Sequence, residues 1–181
     1  SVHENGVWSH HYRGPIRFAS AEWIAEFLDE ARRLGQLAIE DVIVLTPFRA
    51  QRALLRQRLS LRQLREVKVS TVHRSQGSEA RVVIFDPVDG ASDFLRSAES
   101  LRLINVAFSR AQAKLLLVLS PGDLGNPLFA QIANRQRLAG DVRQAHPIVE
   151  LSRRAGFPFS AAGMRVAISR HVGEVSRVAA D

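Results

Sequence analysis

Lys68 to Asp86 reads KVSTVHRSQGSEARVVIFD. Val67, Val69 and Thr71 alternate as a short strand does, and they lead into a polar loop from His73 to Arg81. The chain leaves that loop through Val82 to Phe85, a continuous apolar run suited to a strand buried on both faces. Two buried strands joined by His, Arg, Ser, Gln, Gly, Ser and Glu predict a polar binding loop held by a rigid sheet.

The flanking sequence repeats the pattern. Upstream, Asp41 precedes Val42-Ile43-Val44-Leu45, a second buried strand, which Thr46-Pro47-Phe48 ends. A helix is predicted from about Arg49, with Arg49, Arg52 and Arg56 on one face, read as a solvated charged face. Earlier still, Ser20 is the expected N-cap of a helix carrying Trp23, Ile24, Phe27, Leu28, Ala31 and Leu34 at helical spacing. Gly35 stands where a left-handed C-terminal residue belongs. Residues 1–19 are expected to be irregular, with Pro15 to Phe18 as an edge segment.

Downstream, Pro87 to Ser97 reads as a loop with an Asp89-Gly90 turn, and Ser100 is the expected cap of a helix presenting Leu101, Ile104, Phe108 and Ala111 on one face. Lys114 to Leu119 is the last predicted buried strand, and Asn126 to Leu138 a further helix. Beyond Pro147, Met164, Ile168, Val172, Val175 and Ala179 favour a helix, although Arg165 to Ile168 also alternates like a strand. This gives a domain over 1–140 and a C-terminal extension over 141–181. Strands alternating with amphipathic helices predict an α/β fold with a mostly parallel sheet. Ligands of such sheets sit at the strands' carboxyl ends, which puts Thr46 to Gln51, Thr71 to Glu79 and the surroundings of Ser120 on one edge.

Composition narrows the chemistry. A formal charge of 25 − 18 = +7 favours an anionic partner. Only Lys68 and Lys114 are lysines, so the cations are guanidinium forks suited to phosphate. The absence of Cys excludes disulfides and thiolate metal sites. No apolar run reaches membrane-spanning length and no signal peptide is visible, so a soluble cytoplasmic protein with no membrane partner is expected. The first residue is not Met, which suggests a piece of a longer chain. There is no G-x-x-x-x-G-K-[ST], no G-x-S-x-G and no His spacing for a metal. Asp29-Glu30 lies within a helix, so no metal site is expected.

Two features point to chemistry. Gln76-Gly77-Ser78-Glu79 offers a backbone turn, a donor-acceptor amide and a carboxylate, in a ligand loop or a plain structural turn. Arg110 ends the stretch from Arg102 through Asn105 and Ser109, either as half of a structural ion pair or as a guanidinium aimed at a phosphate arriving from another domain.

In this order, these segments resemble the C-terminal RecA-like motor domain of superfamily 1 helicases, the Upf/Dna-type branch. Val42 to Gln51 is similar to that family's T-P-Y-x-x-Q segment, with Phe48 for Tyr. Ser70 to Glu79 resembles its motif V, with His73 and Ser75 where Asp and Phe are commoner; His at that place is a RecD-type feature. Arg102 to Ala111 resembles motif VI, N-V-A-x-[ST]-R-A, so the likeness runs from about Ile39 to Ser120.

The resemblance implies a three-layer, P-loop NTPase-like domain. It makes Arg110 an arginine finger toward the γ-phosphate of ATP, and places Gln76, Gly77 and Glu79 along the nucleotide cleft. Thr46, Pro47, Gln51, Ser70, Thr71 and His73 would face single-stranded DNA or RNA. ATP and Mg2+ would be held mainly by an N-terminal RecA-like domain of the same polypeptide, and without its phosphate loop this chain alone is expected to be inactive. The family's second γ-phosphate arginine has no clean counterpart between Arg13 and Glu22, where Arg17 is the nearest guess. A different-class alternative is a non-enzymatic module binding nucleic acid or protein through a motor-like fold.

Overall fold

In the computed structural model, residues 5–75, 77–140 and 165–169 are described. Val7–Ser9 (β1) and Gly14–Ile16 (β2) form a small antiparallel hairpin, where irregular chain was expected. Gly14 permits it: a Cβ there would lie 3.0 Å from the Cβ of Ala50, so the hairpin packs closely on the next helix but one.

The main sheet comprises Val42–Thr46 (β3), Lys68–Thr71 (β4), Ala80–Phe85 (β5), Ala111–Leu119 (β6) and Arg165–Ser169 (β7), in the order β4-β3-β5-β6-β7. The first four are parallel, and β7 pairs antiparallel with β6. The helix expected over Met164 to Ala179 is therefore strand where it is described, and it adds an edge to the sheet. The rest of the 141–181 extension lies outside the described residues.

The alternation of strands sorts the core into two layers. Val42, Val44, Val82, Ile84, Leu116 and Val118 point to one face. There they meet Trp23, Ile24, Phe27 and Leu28 of Phe18–Arg33 (α1), and Leu54, Leu55 and Leu59 of Arg49–Leu61 (α2). Ile43, Leu45, Val83, Phe85, Leu115 and Leu117 point to the other. They pack on Leu103, Ile104, Ala107 and Phe108 of Ala98–Phe108 (α4), and on Leu128, Phe129 and Ile132 of Pro127–Gly140 (α5). Both faces are covered, which is why the strands read as unbroken apolar runs. Each fully buried Leu or Phe contributes about 1.5–3 kcal/mol. The result is a three-layer, RecA-like α/β sandwich.

Helix ends account for most of the small differences from expectation. Gly35 takes φ 63°, and the amides of Gly35 and Gln36 close on the carbonyls of Arg32 and Ala31, a Schellman ending. At the other end, α1 starts two residues before Ser20, with Arg17 at the cap position and no side-chain cap. For α4 the cap is Ser97 rather than Ser100, its hydroxyl accepting the Ser100 amide at 3.2 Å. The 87–97 loop contains one helical turn, Asp93–Arg96 (α3).

Candidate functional site

The parallel strands give the sheet a carboxyl edge, at Thr46, Thr71, Asp86 and Ser120, and an amino edge, at Val42, Lys68, Ala80 and Ala111. Strand order reverses between β3 and β5, and folds of this kind have their ligand crevice at the carboxyl edge of that switch point. Here the chain fills it with its own guanidinium. Arg17, 1% exposed, donates to Asp86 Oδ1 at 2.8 Å, to Asp123 Oδ2 at 2.5 Å and to the Val118 carbonyl at 2.8 Å.

One cation between two carboxylates leaves a formal surplus of negative charge, and further donors surround it. The Ser20 hydroxyl donates to Asp86 at 2.6 Å, and the Gln51 amide donates to the same oxygen at 2.7 Å. The amides of Gly90 and Ser120 donate to Asp123 at 2.6 and 2.7 Å. Burial works against the charge on Arg17, but Asp86 and Asp123 outweigh it, so the guanidinium is pushed above its already high ordinary value. Arg17 is thus a structural hub, remote in kind from a γ-phosphate ligand.

Gln51 belongs to the same hub. It is fully buried, accepts the Arg17 amide at 2.8 Å through its carbonyl oxygen, and presents no free polar group to a strand at the surface. Thr46 is also buried, with its hydroxyl 3.4 Å from the Phe48 amide. Thr71 is 4% exposed, Pro47 and Ser70 are half-buried, and His73 is exposed, so these four line the carboxyl edge at decreasing depth.

Gly77 and Glu79 are elsewhere. Because β4 and β5 are parallel, their connection must travel back the length of the sheet, and it does so through a 3-10 turn, Val72–Ser75, and the residues before Ala80. Thr71 to Glu79 therefore does not share one edge, as the carboxyl-end rule suggested; Gly77 and Glu79 arrive at the amino edge. Gln76 lies outside the described residues.

That amino edge brings together the two features the sequence singled out. The Ala80 amide donates to the Arg110 carbonyl at 3.0 Å, Ala80 is in register with Ala111, and Gln112 donates to Glu79 at 3.0 Å. Gly77 takes φ 80°, the left-handed region. The guanidinium of Arg110 is half-buried, forms no ion pair among the described residues, and its Nε is buried without a hydrogen-bond partner. An intramolecular salt bridge, the alternative for Arg110, is not made among those residues.

No group of three or more His, Cys, Asp or Glu among the described residues can hold a metal ion. Likewise no helix there is long and apolar enough to cross a membrane. The features that sequence reasoning missed are Asp86, Asp123 and the hydrogen bond of Ser20 to Asp86, made in place of the expected cap. The one available signal was an Asp directly after the apolar run of β5.

A family model described as an AAA domain matches residues 16–121, more than half of the chain. A curated relative, the DNA replication ATP-dependent helicase/nuclease DNA2 of Saccharomyces cerevisiae, is 29% identical over 99 residues, or 54% of this chain. The chain spans 6% of that relative's length.

Proposed function

The chain belongs to the AAA domain family, and on that premise we propose that it is the second motor domain of an ATP-dependent superfamily 1 nucleic-acid helicase or translocase of the Upf/Dna-type branch. In this reading Arg110 is an arginine finger that completes an ATP site built mainly by an N-terminal RecA-like domain of the same polypeptide. Gln76, Gly77 and Glu79 line the same cleft. Pro47, Ser70, Thr71 and His73 meet single-stranded DNA or RNA at the opposite edge, and Thr46 and Gln51 support them from within.

The observation that carries the reading is the half-buried Arg110, without an ion pair among the described residues, whose backbone carbonyl accepts from the Ala80 amide one residue past Glu79. A half-buried cation lacking a carboxylate partner among the described residues suits an anion from another domain, and ATP fits that need. Mg2+ finds no ligand cluster among the described residues and would be held by the other domain. Bound ATP supplies the phosphoryl group that is transferred to water. The part of Arg110 is to hold fixed positive charge at the cleft, where negative charge spreads over the phosphoryl oxygens. Glu79, held by Gln112, orients the loop that continues to the strand-binding edge.

The test is Arg110→Ala in the full-length protein. A loss of roughly 10³-fold or more in nucleic-acid-stimulated ATP turnover is expected, with strand affinity retained. Turnover within a few-fold of wild type would remove Arg110 from the site.

A further inference from the structure

The two ends of α2 treat their arginines differently. Arg58 and Arg62 turn to α1 and are neutralised by Glu22 and Glu26, at 3.5, 2.6 and 3.1 Å. Arg49, Arg52 and Arg56, on another face, have no ion pair among the described residues, and Arg74 of the turn after β4 has none there either. These four crowd one another. Burial and the like charges of Arg74, Arg56 and Arg49 lower the proton affinity of Arg52, whose Nε is buried without a hydrogen-bond partner. A surface that compensates cations carefully on one side of a helix and accumulates them on the other is built for an anion supplied from elsewhere.

The geometry of that anion can be read. Arg49 and Arg56 are separated by about 10 Å along the helix axis, too far for a single phosphate and suited to successive phosphates of a chain. At the N-terminal end of α2 stands an aromatic pair. Phe48 and Phe94 meet with ring centroids 5.7 Å apart, and Phe94 is 48% exposed. An exposed ring beside a row of guanidinium groups is the arrangement that takes a base on its face while the backbone follows the cations.

We propose that Arg49, Arg52, Arg56 and Arg74 form a phosphate track for single-stranded nucleic acid, which runs along α2 to a base-stacking platform at Phe48 and Phe94. The track rests on the helicase reading above and extends it to residues to which that reading gives no role. Each phosphate that the track neutralises adds a released counterion to the binding equilibrium, so the track has a thermodynamic signature separable from stacking.

The experiment measures affinity of the full-length protein for a fluorescein-labelled oligo-dT and oligo-U by anisotropy, across a salt series. Arg52→Gln/Arg56→Gln is expected to reduce the slope of log K against log salt by about 1.4, from about 0.7 for each phosphate left without its cation. Arg49→Gln/Arg74→Gln, both at exposed positions, gives the same reduction independently. Arg58→Gln, a paired residue on the opposite face, leaves the slope unchanged. Phe94→Ala weakens binding about tenfold at every salt concentration with the slope intact, and Phe94→Tyr restores it. Wild-type binding with unchanged slopes in both double variants would overturn the track and leave the helicase reading standing. Absence of single-strand binding by the wild type would overturn both. Loss of binding to phosphatidylserine vesicles, with oligonucleotide affinity unaffected, would also overturn the track.

Discussion

Arg17 and Asp86 are 69 residues apart in sequence and form a fully buried ion pair of 2.8 Å at the carboxyl ends of the central strands. The pair joins the start of α1 to the end of β5, and through Gln51 and Asp123 it reaches α2 and the turn after β6. Four segments thereby converge on one buried ion pair, in the crevice that this topology otherwise leaves open to a ligand. Arg17 and its partners satisfy one another there, which directs attention to the amino edge and Arg110.

The partners in this network are not equivalent. Removing Arg17 strands two buried carboxylates, whereas removing the charge of Asp86 leaves Arg17 paired with Asp123. Arg17→Met is expected to destabilise the fold by about 3–5 kcal/mol, the usual cost of breaking a buried pair. Asp86→Asn is expected to cost less, about 1–3 kcal/mol, as a buried hydrogen-bonding group with a diminished partner. Urea unfolding of both variants checks the order, and a larger loss for Asp86→Asn would contradict the hub.

Asp89 sits beside this network and forms no ion pair among the described residues. Burial first, and then the charge of Asp123, raise its carboxyl above the ordinary 3.8, while Arg17 and Arg96 counteract in part. A carboxyl whose folded value exceeds its unfolded one binds more protons in the native state, so stability falls as pH rises through the window that opens at 3.8. Asp89→Asn is accordingly expected to raise stability at neutral pH and to have no such benefit below the window. Melting temperatures measured across that range test the sign.

Gly77 holds φ 80° with nothing within 4 Å of the position a Cβ would take. Substitution there meets backbone strain and no steric clash. Gly77→Ala is expected to cost about 1–2 kcal/mol, and Gly77→Asn less, because Asn tolerates the left-handed region. Equal losses in denaturant titrations would show that something other than backbone conformation is at stake.

The sequence contains no G-x-x-x-x-G-K-[ST] phosphate loop, and in the proposed reading Arg110 only complements one. The isolated 181-residue chain is therefore expected to release no phosphate from ATP and Mg2+ above the buffer rate, with or without oligonucleotide. Sustained turnover in a phosphate-release assay would refute the division of labour between two domains.

Much of this was legible in the residues because it is local. Val42 to Leu45 reads as a strand buried on both faces because both faces are in fact covered, and Gly35 ends α1 through bonds to its own last turn. What escaped reading depends on distant partners. Ser20 has the chemistry of a cap, yet its hydroxyl serves Asp86, 66 residues away, and the helix begins without it. Gln51 looks like a surface amide after a strand, and only the position of Arg17 shows that it is interior. Which edge Gly77 and Glu79 occupy follows from strand order, and no motif within the loop encodes that order. Arg49, Arg52 and Arg56 by themselves suggest no more than a solvated face; the pairing of Arg58 and Arg62 with α1 is what makes their lack of carboxylates among the described residues informative.

The connection that carries the chain from Thr71 back to Ala80 also defines a mechanical ratio. β5 has six residues, so the two edges lie about 20 Å apart. A rigid sheet of that height, rocked by about 10° on a pivot near Arg110, sweeps its far edge through about 3.5 Å, close to the roughly 3.4 Å advance per nucleotide along one strand of a duplex. In the proposed motor, the domain's thickness would therefore act as a gear, one small closure at the Arg110 edge being commensurate with one nucleotide of travel at the other.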